Sequence, residues 1–145
     1  SKVSVICAYI KRRGNLLMLG EEETIIPAIE LEYCIRESLD NLRLGDVFTS
    51  FDSKCDGTLK LEHAVIAFDF YENIVERLLD DATAMLIHLD CKDGFIKMRL
   101  QIGCNEDIAE HTLSELSIPC GTFEWDIQDE DVTVTLLLSE GGDGK

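Results

Sequence analysis

Basic residues are scarce in this chain: 13 Lys and Arg stand against 29 Asp and Glu, a net charge of −16. Affinity for phosphate backbones rests on clustered Lys and Arg, so nucleic acid is excluded as a partner. The one basic cluster, Lys11-Arg12-Arg13 ahead of Gly14-Asn15, is a turn and reads as solvated surface. Long apolar runs are also missing, and none approaches the roughly 20 residues a membrane helix needs. The stretch VSVICAYI (3–10) is too short, and it lacks the flanks and cleavage site of a signal peptide. Direct membrane contact is therefore not expected. There is no CxxC pair among the six cysteines (7, 34, 55, 91, 104 and 120) and no His at ligand spacing, which removes a zinc site. Cys7, Cys34 and Cys91 lie in apolar or periodic segments, where Cys behaves as a small hydrophobe. All six are expected to stay reduced in a cytoplasmic protein.

What remains is globular: 46% hydrophobic, only two prolines, no repeats and no internal linker. At 145 residues the chain reads as one domain over 1–140, followed by a disordered tail at 141–145. A domain of this size buries roughly two-thirds of its unfolded surface. Ser1 opens directly into an apolar strand, so the chain is expected to be part of a longer protein.

Apolar runs at 3–10 and 16–19 around Gly14-Asn15 predict an N-terminal hairpin over 1–20. Pro27, with acids ahead of it, suits a helix start. Ala28, Leu31, Ile35, Leu39 and Leu42 then form one helical stripe, closed by Gly45. VFTSF (47–51) predicts a strand and SKCDG a turn. A second helix is expected over 62–79, with Ala64, Phe68, Tyr71, Val75 and Leu78 buried and Asp80-Asp81 ending it. TAMLIHLD (83–90) and FIKMRLQI (95–102) flank Asp93-Gly94 as a hairpin. Asn105 is placed to cap a short helix with Ile108, Leu113 and Leu116 as its apolar positions, and segments 122–127 and 132–138 make a last hairpin. This order predicts an α/β (α+β) two-layer sandwich, a mixed and largely antiparallel sheet with helices on one face.

Segments CIRESLDNLRLG (34–45), HAVIAFDFYENIVERLLDDATAMLIHLDCKDGFIKMRLQI (63–102) and GTFEWDIQDEDVTVTLLL (121–138) resemble, in order, the GHKL (Bergerat) ATPase-type domain of bacterial sensor histidine kinases, with kin expected among Firmicutes. The resemblance implies that the second helix is an N-box, read as E-x-x-x-N. There Glu acts as general base and Asn holds magnesium on ATP. Placing the family Glu on Glu72 makes it the candidate catalytic base but puts Glu76 where the Asn belongs. Asn73 lies about 100° round the helix from Glu72. Shifting by one residue gives Tyr71 and Val75, which suit the motif less well. Where the family has D-x-G-x-G after the strand at 95–102, this chain reads GCNEDIAEH, and no second glycine-rich box follows. The phospho-accepting His helix is absent as well.

Glu72, Asn73 and Glu76 are thus the candidate nucleotide site, a degenerate N-box remnant, with Glu76 the candidate metal ligand. Two carboxylates four apart share a helix face and can hold Mg²⁺ with waters. The alternative is a solvated acidic face, partly paired with Arg77. Two function readings follow. In one, the domain is pseudo-ATPase-like, binds no nucleotide, and signals through contacts with its own dimerisation and phosphotransfer helices or with a response regulator. In the other it is an active ATP-binding autokinase using Glu72 and Glu76 with Mg. More remotely, residues 48–63 resemble a single degenerate EF-hand, with Asp52, Asp56, Gly57 and Leu59 at loop positions 1, 5, 6 and 8. There Lys54 replaces a ligand, and His63 takes the place of the bidentate Glu, with Glu62 one place off. His88, between Ile87 and Leu89, reads as a surface or cross-strand residue. His63 and His111 stand apart from any catalytic pattern, and no Ser or Cys has a nucleophile context.

Overall fold

The computed structural model describes residues 24–42 and 46–139. The hairpin expected over 1–20, the basic cluster at 11–13, the Gly45 cap and the tail at 141–145 lie outside the described residues. Within them the elements are β1 (Ile25–Pro27), α1 (Ile29–Asn41), β2 (Phe48–Cys55), β3 (Thr58–Lys60), α2 (Leu61–Leu78), β4 (Ala84–Lys92), β5 (Phe95–Gly103), α3 (Glu106–Ser114), β6 (Thr122–Gln128) and β7 (Asp131–Ser139). A five-stranded sheet runs β2-β4-β5-β7-β6, with β2 parallel to β4 and every other pair antiparallel. β1 and β3 form a separate antiparallel pair.

Period-two alternation sorts the sheet into two faces. Met85, Ile87, Leu89 and Cys91 of β4, Ile96, Met98, Leu100 and Ile102 of β5, and Val132, Val134, Leu136 and Leu138 of β7 are all buried. The helices cover that face, and the other carries Lys97, Arg99, Gln101 and Thr135. α2 supplies the largest share of the cover. Its stripe of Ala64, Phe68, Tyr71, Val75 and Leu78 is buried as its spacing predicts. The break after it is a 3₁₀ turn, Leu79–Asp81, closed by Asp80 and Asp81.

Four expectations are corrected. Pro27 does not open a helix. It closes β1 opposite Thr58, and α1 starts two residues later, because Ile25–Pro27 finds backbone partners in β3. The segment Ser53–Cys55 is not a turn: inward alternation continues through Phe51, Ser53 and Cys55, so the ladder with β4 extends to Cys55 opposite Cys91. Only Asp56-Gly57 remains for the reversal, with Gly57 at φ +75°. Ile108 is exposed, and α3 instead buries Ala109, Thr112 and Leu113, which share its inner face. Cys34 departs from the expectation that every cysteine stays reduced, since it is disulfide-bonded. It lies in the buried row of α1.

α1 is fastened to α2 by a hydrogen bond of 2.8 Å between the Ser38 and Tyr71 hydroxyls. Burial of the Tyr71 ring pushes its phenol up to about 12, opposed by the Ser38 bond and reinforced by the neighbouring charge of Glu72. The unfolded chain ionises this group near 10, so the folded state holds the proton more tightly. The resulting stability is complete below pH 10 and is lost as pH rises toward 12, a span worth about 2–3 kcal/mol. Tyr71→Phe is expected to flatten this alkaline limb in urea titrations between pH 9 and 11, while costing about 1 kcal/mol at neutral pH through the lost hydrogen bond.

Candidate functional site

A helix displays about 100° of rotation per residue, so neighbours in sequence face different directions. That rule divides the three candidate residues of α2. Asn73 is exposed and lines a small open cleft, about 90 Å³, together with Ile66, Asp69 and Phe70 of the same helix. These four follow one another at i, i+3, i+4 and i+7, a single stripe. The opposite wall is Leu116, Ser117, Ile118 and Pro119, the segment that follows α3. Glu72 is half-buried, Glu76 is exposed, and neither lines the cleft. Arg77, the expected partner of the acidic pair, reaches Glu115 instead, at 3.4 Å. This correction follows from the same geometry, since Arg77 lies four residues beyond Asn73 and faces the segment after α3.

The cleft also shows what the sequence reading missed. Asp69 and Asn73 are a carboxylate and an amide four residues apart on the cleft face, a D-x-x-x-N pattern. The spacing was visible in FDFYEN; the phase of the helix was not, because Glu72 offered a second acid three residues later.

The far wall is set by a short chain of contacts. Between β5 and α3 stand only Cys104 and Asn105, whose side-chain oxygen accepts from the Ile108 N–H at 3.0 Å and caps α3 as expected. The Asn105 N–H donates to the Asp81 carboxylate at 2.6 Å, so the turn ending α2 also holds the start of α3. Burial, with the charges of Asp81 and Glu130, raises the Cys104 thiol to about 11. Beyond α3, Leu116 and Ile118 pack on the core, and Phe70 meets Phe123 edge-on with centroids 5.2 Å apart. Gly121, at φ +83°, then brings the backbone against Leu137 and Leu138 at the start of β6, where an added Cβ would collide.

The EF-hand reading does not survive this geometry. Asp52 sits in regular strand β2 on the outer sheet face and bonds His88 Nδ1 across the ladder, while His63 is buried at the start of α2. His88 is therefore the cross-strand surface residue its alternation predicts. Among the described residues no three His, Cys, Asp or Glu side chains converge on a possible metal position.

No protein-family model matches the sequence, and no curated protein does. Solved structures do match. The catalytic domain of histidine kinase ThkA, in a nucleotide-free form, aligns over 81% of this chain and 95% of its own, with TM-score 0.53 and 9% identity. This chain has the fold of a histidine kinase catalytic domain. The histidine kinase domain of the Erythrobacter litoralis EL346 blue-light activated kinase matches over 79% of this chain, with TM-score 0.52 and 9% identity. ThkA in complex with the response regulator protein TrrA matches over 84%, with TM-score 0.51 and 10% identity. This chain spans 61% of the Erythrobacter chain and 43% of the ThkA chain in that complex. The five-stranded, mostly antiparallel sheet under three helices is the histidine kinase architecture, and α2 is the helix that the N-box resemblance singles out. No helix among the described residues is long and apolar enough to cross a membrane.

Asn105→Ala is expected to cost about 1 kcal/mol by uncapping α3. A thermal melt should show the lower midpoint. Hydrogen exchange should show faster exchange over 106–119, because the cap anchors the wall of the cleft.

Proposed function

We propose that this domain is a signalling module with the histidine kinase catalytic fold, degenerate in its nucleotide motifs and acting through protein contact. The observation that carries the reading is the wall at Leu116–Pro119, which leaves about 90 Å³ beside Asn73. Pockets for small molecules run to roughly 300–1,000 Å³. The link from β5 into α3 is too short for a glycine-rich loop, whose backbone N–H groups would otherwise cradle phosphates. The polar side chains lining the cleft are one carboxylate, one amide and the Ser117 hydroxyl, short of the oxygen set Mg²⁺ requires without substrate phosphates and water. Residues and space therefore fit ATP and Mg poorly, and no chemical step is routed through them. The partners proposed are the domain's own dimerisation and phosphotransfer helices and a response regulator, in a cytoplasmic setting. The ThkA–TrrA complex supports the second partner by analogy of fold.

One observation favours a second reading, the active autokinase. Asp69 and Asn73 place an acid and an amide at N-box spacing in the same cleft, and outward movement of 115–119 would open room for a nucleotide. In this reading Asp69 takes the role first assigned to Glu72. Calorimetric titration with ATP and Mg²⁺ separates the two. The contact module predicts no saturable heat up to millimolar nucleotide. Saturable binding that is lost in Asn73→Ala and Asp69→Asn, but kept in Glu76→Gln, would overturn it in favour of the autokinase.

A further inference from the structure

Cys55 ends β2 and Cys91 lies in β4, and the parallel ladder makes them direct partners. Adjacent strands lie about 4.7–4.9 Å apart, inside the Cα separation of roughly 4.4–6.8 Å that a disulfide spans. Both side chains are on the helix-covered face: Cys91 is buried and Cys55 is half-buried, opposite each other in the ladder. Asp56, the next residue, is exposed, and its N–H donates to the Cys91 carbonyl at 3.0 Å, which holds the strand ends in register. Neither sulfur belongs to the cleft on α2.

We propose that Cys55 and Cys91 form a thiol–disulfide site that is oxidised by exchange with a low-molecular-weight disulfide. The Cys55 thiolate attacks one sulfur of RSSR, that S–S bond breaks, and RS⁻ leaves from a mixed disulfide on Cys55. Cys91, giving its proton to the departing thiolate or to water, then attacks the Cys55 sulfur and expels the second RS⁻. Two protein thiols are oxidised, one RSSR is reduced to two RSH, and the protein loses two hydrogens. The order of attack follows from the surroundings. Cys91 is buried and Cys55 is half-buried at the strand end, so Cys55 is the entry point and Cys91 the resolving sulfur, whose proton is held by its contact with Cys55 and by burial. The new bond ties edge strand β2 to β4 at the place where the chain turns through Asp56-Gly57 into β3 and α2. Oxidation thus fixes the sheet edge relative to the helix that carries the cleft.

The test equilibrates the full native chain with oxidised glutathione, quenches with acid, alkylates the remaining thiols and maps the peptides by mass spectrometry. The expected result is a Cys55–Cys91 linked peptide, two fewer alkylations, an upward shift in the urea midpoint, and reversal of all three by dithiothreitol. Cys104→Ser should leave the link unchanged, and Cys55→Ser should abolish both link and shift. The linked peptide is read on the unsubstituted chain, so a variant that fails to fold does not blunt the test. Full alkylation of both cysteines, a mixed disulfide that persists on Cys55, or linkage through Cys104 or Cys120 instead would each overturn the proposal.

Discussion

A sheet that is apolar on one face needs a cover, and in this protein α2 carries most of that burden. Of its 18 residues, 12 are buried, so its rotation about its own axis is set by packing and not by the polar residues it displays. Burying a large side chain such as Phe68, Phe70 or Tyr71 contributes about 1.5–3 kcal/mol. A repulsive pair such as Glu72 and Glu76 costs only a few tenths. The core therefore chooses the phase of the helix, and the surface chemistry follows from it. Asn73 reaches the cleft because Phe68, Tyr71 and Val75 are buried on the face of α2 that packs on the sheet.

The same constraint explains which parts were legible in advance. Alternation in β4, β5 and β7 and the 3–4 spacing in α2 are each repeated over many residues, and both were readable, as were the Asp93-Gly94 hairpin and the Asn105 cap. β1 and β3 were not, because three-residue strands hold too few positions to show a period; their pairing comes from the approach of Thr24–Pro27 to Thr58–Leu61. The extension of β2 through Ser53–Cys55 was hidden by turn-forming residues, and the ladder with β4 overrode their local preference. In the candidate site the helix and its acidic character were legible. Which of Asp69, Glu72 and Glu76 lines the cleft was not, because it turns on where the segment after α3 lies. That segment has no periodic signal, being held by an Arg77–Glu115 pair, two half-buried apolar side chains and Pro119.

Charge adds a second limit on what the cleft can accept. Asp69, Glu72 and Glu76 crowd one flank of α2, and Arg77, the cation on that helix's last turn, is engaged with Glu115. A triphosphate entering beside Asn73 would face this acidity without a glycine-rich loop of N–H donors to offset it, and the repulsion of like charges at short range in partly excluded water exceeds what one amide returns. A basic or amide-rich protein surface meets the opposite balance. Volume and charge therefore both weigh against a triphosphate beside Asn73, and they do so independently: widening the cleft by moving 115–119 would relieve the first and leave the second in place. A divalent cation arriving with the nucleotide would offset the charge and leave the volume unchanged, so both limits must be lifted before this cleft could take a triphosphate.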